Sequence, residues 1–320
     1  MANVDATLTG LTGKERQAFE EDGYFIRPEM YNADEVDALR DHVEDLVALM
    51  EFSEVLSDEQ RDTILKRNPS AEVKTGAGSL NSLYRIHTFS ATVRAHIRDA
   101  RRLAVAKDLV GPDLFCPNDL YFFKPPGTGR PIAWHQDSWY FNNTYESSVG
   151  DSIEEASIGT WLALDDADEE NGCLWVIPGS HREGVVDHED VEGDGYLLQK
   201  RVFVTDEMEA KGIPVEVPKG AMVFFNNAVL HRSTPNRSDR FRRAYIVHYM
   251  KATIQRTEKR KNWIRPAAAQ NWGSVEAYIC GQSYPGCVQT TPEEYSLKWD
   301  QAIGRTLRED ELCVREPVSD

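Results

Sequence analysis

The sequence predicts a mainly β protein whose strands are flanked by helices, and three observations carry that reading. Between Cys116 and about Lys251, short apolar and aromatic runs alternate with turn-forming residues. Many short strands at such a rhythm build a sandwich or a barrel. Ahead of them, two stretches are opened by capping boxes and continue with apolar residues at helical spacing. The chain also shows no repeat with a period of roughly 20–50 residues and no apolar run of about 18 residues, which sets aside solenoids and membrane-spanning helices.

Taken in order, Thr12 and Glu15 form the first capping box, ahead of a helix that Gly23 stops, and Tyr24–Arg27 follows as a short strand. Asn32 and Glu35 form the second box. Val36, Leu39, Val43, Leu46, Val47 and Met50 then recur on one helical face, a stripe that core packing explains. A further helix is expected over Ala91 to Val110. The strand candidates are Tyr121–Phe123, Ile158–Leu164, Gly172–Ile177, Met222–Phe225 and Ala244–Tyr249, punctuated by Pro125–Gly127, Pro178–Gly179, Pro218–Gly220 and Asn236. This divides one domain, residues 1–320, into a helical layer at about 11–115, a β core at about 116–251 and an extension or lid at about 252–320.

The 320 residues carry a formal charge of −17, with 41% hydrophobic residues, 12 Tyr and 12 Phe. Such acidity sets nucleic acid and anionic membrane surfaces aside as partners. Five cysteines, odd in number and without a C-x-x-C pair, read as reduced thiols, although Cys280 and Cys287 are spaced so that they can pair. The N-terminal residues lack the pattern of a signal peptide and the last four carry no sorting address. A cytoplasmic location and a monomer or homodimer are the expectation.

The chemistry concentrates in Trp134-His135-Gln136-Asp137. A histidine and an aspartate two positions apart on a β-strand project to the same face and can grip one metal ion. His231 lies far downstream, where another strand can bring it alongside. Two histidines, one carboxylate and three open positions make the ligand set of a non-haem Fe(II) oxygenase. The chain's other His-x-Asp, His188-Glu189-Asp190, sits in an acidic, glycine-punctuated run and reads as solvated loop, an internal control for which substitution of the histidine is expected to do nothing. After His231, the turn-rich segment Ser233–Asp239 is expected to reverse the chain into an adjacent strand. Arg242 starts that strand and shares a face with Ala244, Ile246 and His248, while Phe241, Arg243, Tyr245 and Tyr249 share the other. An arginine suits a carboxylate because its planar fork pairs both oxygens and stays charged.

These residues resemble the phytanoyl-CoA dioxygenase family of Fe(II)/2-oxoglutarate oxygenases over most of the chain. The resemblance begins with Phe19–Phe25 and Glu35–Leu39, and continues through Trp134–Asp137. It includes the run Asn171 to His181, reading Asn-Gly-Cys-Leu-Trp-Val-Ile-Pro-Gly-Ser-His, which is specific although it carries no obvious chemistry. It closes with Leu230–Ser233 and Asn236–Arg243. It implies a jelly-roll, cupin-like core (a double-stranded β-helix) with the N-terminal helices packed on one sheet. It implies that His135, Asp137 and His231 hold Fe(II) and that Arg242 holds the distal carboxylate of 2-oxoglutarate.

Trp161 matches a tryptophan beside the cosubstrate, with a core aromatic as the alternative. Arg85 stands where some members use a lysine near 2-oxoglutarate, with a surface arginine as the alternative. His248, with a satisfied core histidine as the alternative, and Tyr121 are candidate substrate contacts, and His181 reads as a turn residue. The implied reaction consumes 2-oxoglutarate and O2, hydroxylates an unactivated C–H bond of a small molecule, and releases succinate and CO2. The alternatives are desaturation, cyclisation or epimerisation by the same iron chemistry, a non-catalytic ligand-binding jelly roll, and a zinc hydrolase on a similar barrel. Asp137 argues against halogenation, because related halogenases lack that carboxylate.

Overall fold

The computed structural model describes residues 10–52, 82–84, 86–88, 90–191, 196, 200–256 and 277–280. Helix α1 (Gly13–Asp22) opens on the predicted box: the Thr12 hydroxyl accepts from the Glu15 N–H at 3.2 Å, and the Glu15 carboxylate accepts from the Thr12 N–H at 2.8 Å. Gly23, at φ 85°, ends the helix and releases the chain into β1 (Tyr24–Arg27). Helix α2 (Ala33–Phe52) opens on the second box, between Asn32 and Glu35. Val36, Leu39, Val43, Leu46 and Val47 are all buried along its stripe, while the Met50 side chain lies outside the described residues.

The helix expected over Ala91 to Val110 is two helices, α3 (Ala91–Ile97) and α4 (Ala100–Val110). Asp99 breaks it by turning its carboxylate onto the Arg101 N–H at 2.9 Å, so that it caps the second helix rather than continuing the first.

The remaining elements are β2 (Ser82–Tyr84), β3 (Leu114–Lys124), β4 (Ile132–His135), α5 (Asp137–Asn142), β5 (Tyr145–Ser147), β6 (Ser157–Ala163), β7 (Leu174–Val176), β8 (Glu189–Asp190), β9 (Lys200–Arg201), α6 (Asp206–Glu209), β10 (Ile213–Val215), β11 (Met222–Asn226), β12 (His231–Ser233), β13 (Arg242–Lys251), β14 (Ile254–Arg256) and β15 (Ala277–Cys280). A larger sheet runs β1-β11-β6-β13-β3-β15, with β2 also paired to β3, and a smaller one runs β10-β7-β12-β4. All their pairings are antiparallel and neither sheet closes on itself. This is the open, two-sheet jelly roll the resemblance implies. Of the C-terminal extension, β15 adds an edge to the larger sheet, and most of the rest lies outside the described residues.

Strand periodicity sorts the core into two layers. On β13, Ala244 and Ile246 face inward and pack with Leu120, Trp161, Val223 and Phe225 against Leu174, Val176 and Val215 of the smaller sheet. Tyr245, Val247 and Tyr249 face outward onto Val36, Leu39, Val43 and Ile97 of the helices. The expected helical layer therefore covers one face of the larger sheet. One detail differs from expectation. The chain that leaves β12 does not return as its neighbour but crosses to the other sheet and enters its centre as β13. Asn236 holds that crossing, donating to the carbonyls of Lys124 at 2.9 Å and Arg240 at 2.6 Å. Cys116 and Cys173 are buried free thiols, and the side chains of Cys280, Cys287 and Cys313 lie outside the described residues. Among the described residues, no helix is long and apolar enough to cross a membrane.

Candidate metal centre

Strands β4 and β12 are hydrogen-bonded neighbours, and His135 and His231 stand directly opposite each other across them. Cross-strand partners point to the same face, and the two ring centroids lie 4.1 Å apart. Each ring is held by its own strand: His135 Nδ1 donates to the Ala133 carbonyl at 2.9 Å and His231 Nδ1 to the Val229 carbonyl at 3.0 Å. A carbonyl only accepts, so both Nδ1 atoms carry the proton and both Nε2 atoms present a lone pair to the space between them. Burial is the main reason His135 is pushed down to about 3, with His231 beside it the next. Burial also takes His231 down to about 4. Both rings are therefore neutral near pH 7, the form a metal ligand requires.

Asp137 completes the cluster. Its Oδ1 is 3.6 Å from His135 Nε2 and its Oδ2 is 3.7 Å from His231 Nε2. Ligand atoms of the three residues all lie within 4.8 Å of one another, one carboxylate oxygen and two imidazole nitrogens that suit a divalent transition metal. The expectation that His135 and Asp137 share a strand needs correction. β4 ends at His135, and Asp137 is the first residue of α5. Gln136 between them keeps an extended backbone (φ −126°, ψ 128°), so the alternation of faces survives for one more step although the ladder has stopped.

The ladder stops because Gln136 is bonded elsewhere. Its side chain donates to the carbonyls of Gly184 at 2.9 Å and Ala228 at 2.6 Å and accepts from the Val186 N–H at 2.9 Å, while its backbone N–H donates to His188 Nε2 at 3.0 Å. His188 is thus no solvated control. Its Nδ1 donates to the Val186 carbonyl at 3.0 Å and its ring stacks on Trp139 at 4.9 Å, which anchors the residue between two of the three cluster members. Its acidic neighbours hid this in the sequence. The His188→Ala variant is accordingly expected to lose about tenfold in divalent-metal affinity, the scale of a lost outer partner, as read by calorimetric titration with Mn(II).

A fourth histidine reaches the cluster. His248 Nε2 is 3.7 Å from Asp137 Oδ2, its Nδ1 is 3.2 Å from Asn227 Oδ1, and the ring is edge-on to Phe141 and Phe225. Arg242 lies on the same face of β13, 2% exposed, with its guanidinium carbon 5.8 Å from the Trp161 ring centroid. Burial pushes this group down to about 10, and its Nε has no hydrogen-bond partner among the described residues. The hydroxyls of Ser233 and Thr234, just after His231, are buried and equally without partners there.

The other sequence candidates separate. Tyr121 is turned to the outer face: its hydroxyl donates to Glu44 and its ring packs in the helical layer, because its position on β3 has the opposite parity from the inward-facing Leu120. It is no neighbour of the cluster. Arg85 lies outside the described residues. His181 keeps its turn role, with Nε2 donating to the Glu20 carbonyl at 3.2 Å and its ring packed so closely under Gly23 that a Cβ there would meet Nδ1 at 2.6 Å. Sequence reasoning passed over Lys124, Gln136 and Trp139. The available signal for Lys124 was a lone charge closing the apolar run Leu120–Phe123.

Comparison with known proteins agrees with this geometry. The family profile for Phytanoyl-CoA dioxygenase (PhyH) matches residues 19–244. The "Phytanoyl-CoA dioxygenase domain-containing protein 1" of Bos taurus is 28% identical over 292 residues, covering 80% of this chain and 95% of that protein. Among solved structures, EctD from S. alaskensis with bound Fe superposes with a TM-score of 0.60 at 19% identity, covering 89% of this chain and 91% of that one. EvdO2 from Micromonospora carbonacea var. aurantiaca, complexed with 2-oxoglutarate, superposes with a TM-score of 0.57 at 20% identity, covering 78% and 95%. At such identities the two structures speak for the fold.

Proposed function

The chain belongs to the phytanoyl-CoA dioxygenase family, and from that membership we propose that it hydroxylates an unactivated C–H bond of a small molecule, consuming 2-oxoglutarate and O2 and releasing succinate and CO2. Its class is that of a 2-oxoglutarate-dependent dioxygenase, with Fe(II) as the metal and 2-oxoglutarate as cosubstrate. The observation that carries the reading is the convergence of His135 Nε2, His231 Nε2 and the Asp137 carboxylate on one space, with a buried guanidinium on the same inner face whose Nε has no partner among the described residues. On this reading residues 1–320 form one oxygenase domain.

Iron held by His135, Asp137 and His231 would supply the oxidising chemistry. The chain's own residues supply the rest. His135, Asp137 and His231 hold the metal on one side and leave the other open. Arg242 pairs with the distal carboxylate of 2-oxoglutarate, in a layer where Trp161, Leu120 and Ile246 keep water out. Trp161 forms a wall beside that cosubstrate. His248, which approaches Asp137 from β13 of the larger sheet, is the substrate contact. A product one oxygen heavier than the substrate is expected by mass spectrometry. A product lighter by two hydrogens would replace hydroxylation with desaturation, and one of unchanged mass would indicate epimerisation.

A further inference from the structure

Lys124 is buried where the metal trio makes no use of it. It closes β3 as the direct cross-strand partner of Arg242 and is 2% exposed. Its Nζ donates to the Thr234 carbonyl, and among the described residues the Cys173 thiol, not a carboxylate, is the acidic group that acts on it. Burial, and Arg242 after it, hold this ammonium well below the ordinary lysine range. A buried ammonium that meets a backbone carbonyl but no carboxylate among the described residues lacks the counter-charge that offsets its desolvation. Two buried cations side by side are harder still to account for by packing alone.

The surroundings are shaped to admit the lysine. A Cβ on Gly129 would lie 2.5 Å from Lys124 Cβ. One on Gly172 would lie 3.2 Å from Lys124 Cδ and 2.5 Å from the Thr234 carbonyl oxygen, and Gly172 has φ +85° besides. Asn171 holds that turn by accepting from the Asp168 N–H at 2.9 Å and donating to the Asp166 carbonyl at 2.7 Å, and Cys173 follows it into the inner layer. The Asn-Gly-Cys run, which has no reactive chemistry of its own, is the wall of this seat.

Donors from four residues therefore collect here: the Lys124 ammonium, the Arg242 guanidinium, and the buried hydroxyls of Ser233 and Thr234. Thr234 is three residues from His231, about 10 Å along an extended chain, a span that a five-carbon dicarboxylate held at the metal can reach. Resting on the function proposed above, we infer that Lys124 is a second cationic contact for the distal carboxylate of 2-oxoglutarate, shared with Arg242, and that the Asn171-Gly172-Cys173 turn seats it.

The test titrates Mn(II)-loaded wild type, K124Q and R242M with 2-oxoglutarate and with its distal amide, 2-oxoglutaramate, by calorimetry, and melts the metal-free forms. Glutamine keeps a donor for the Thr234 carbonyl while removing the charge. K124Q is expected to bind 2-oxoglutarate at least tenfold more weakly, to discriminate less between acid and amide, and to melt no lower than wild type. Wild-type affinity in K124Q would overturn the inference, as would an equal loss for both probes, which is the mark of a structural lysine. Should K124Q fold poorly, K124R, which restores the charge, must recover the preference for the acid or the inference falls. Undiminished binding in R242M would instead remove the underlying assignment of the cosubstrate pocket.

Discussion

Asp137→Ala is expected to abolish substrate-stimulated succinate formation, with a fall of at least about 100-fold, since even the loss of an outer partner of a metal ligand costs 10- to 100-fold. Three histidine nitrogens face this carboxylate at 3.6–3.7 Å. It is the only anion of the trio, so its removal leaves two neutral imidazoles to hold a dication, with a neighbouring third that Asp137 no longer orients. Asp137→Asn separates charge from shape, because the amide keeps one oxygen in place while losing the anion. It should remain folded, by circular dichroism, and bind Mn(II) far more weakly than wild type in calorimetric titration. The carboxylate sits in the first turn of α5, where a negative charge also favours the helix, so a small fall in melting temperature accompanies either change. Turnover unchanged in both variants would show that the metal is held elsewhere.

Much of this site was legible because strand periodicity is a local property. The alternation of Ala244 and Ile246 with Tyr245, Val247 and Tyr249 places the two faces of β13 with no knowledge of the partner strands. The capping boxes at Thr12 and Asn32 were equally legible, because each is closed within four residues. What escaped depends on contacts between remote segments. His188 looks solvated beside its acidic neighbours, yet its role is set by the backbone N–H of Gln136, 52 positions away. Tyr121 is a candidate substrate contact in the sequence, whereas its parity on β3 points it at Glu44 of the helical layer. The end of β4 at His135 follows from bonds that Gln136 makes to Gly184 and Ala228, which no periodicity encodes. The crossing from β12 to the other sheet was misplaced for the same reason: a turn-rich segment signals a reversal but not which sheet receives the chain.

Arg242→Met is expected to raise the 2-oxoglutarate requirement by roughly 30-fold or more while leaving metal binding nearly intact. Removing one partner of a desolvated charge pair costs about 2–5 kcal/mol, and about 1.4 kcal/mol is tenfold in affinity. The same substitution separates ligand recognition from folding. In the ligand-free protein the guanidinium is buried, its Nε lacks a partner among the described residues, and burial drags its pKa down to about 10, the signature of a charge that these residues alone do not stabilise. Methionine fills similar volume against Trp161 without that desolvation cost, so the metal-free variant should melt at or above the wild-type temperature. The binding and melting measurements therefore move in opposite directions. An arginine that merely braced the sheet would lower the melting temperature and leave the cosubstrate requirement unchanged, and that pair of results would move the anchor to another residue. The expected pair marks Arg242 as a residue kept at a cost to stability, because its counter-ion arrives only with the dicarboxylate.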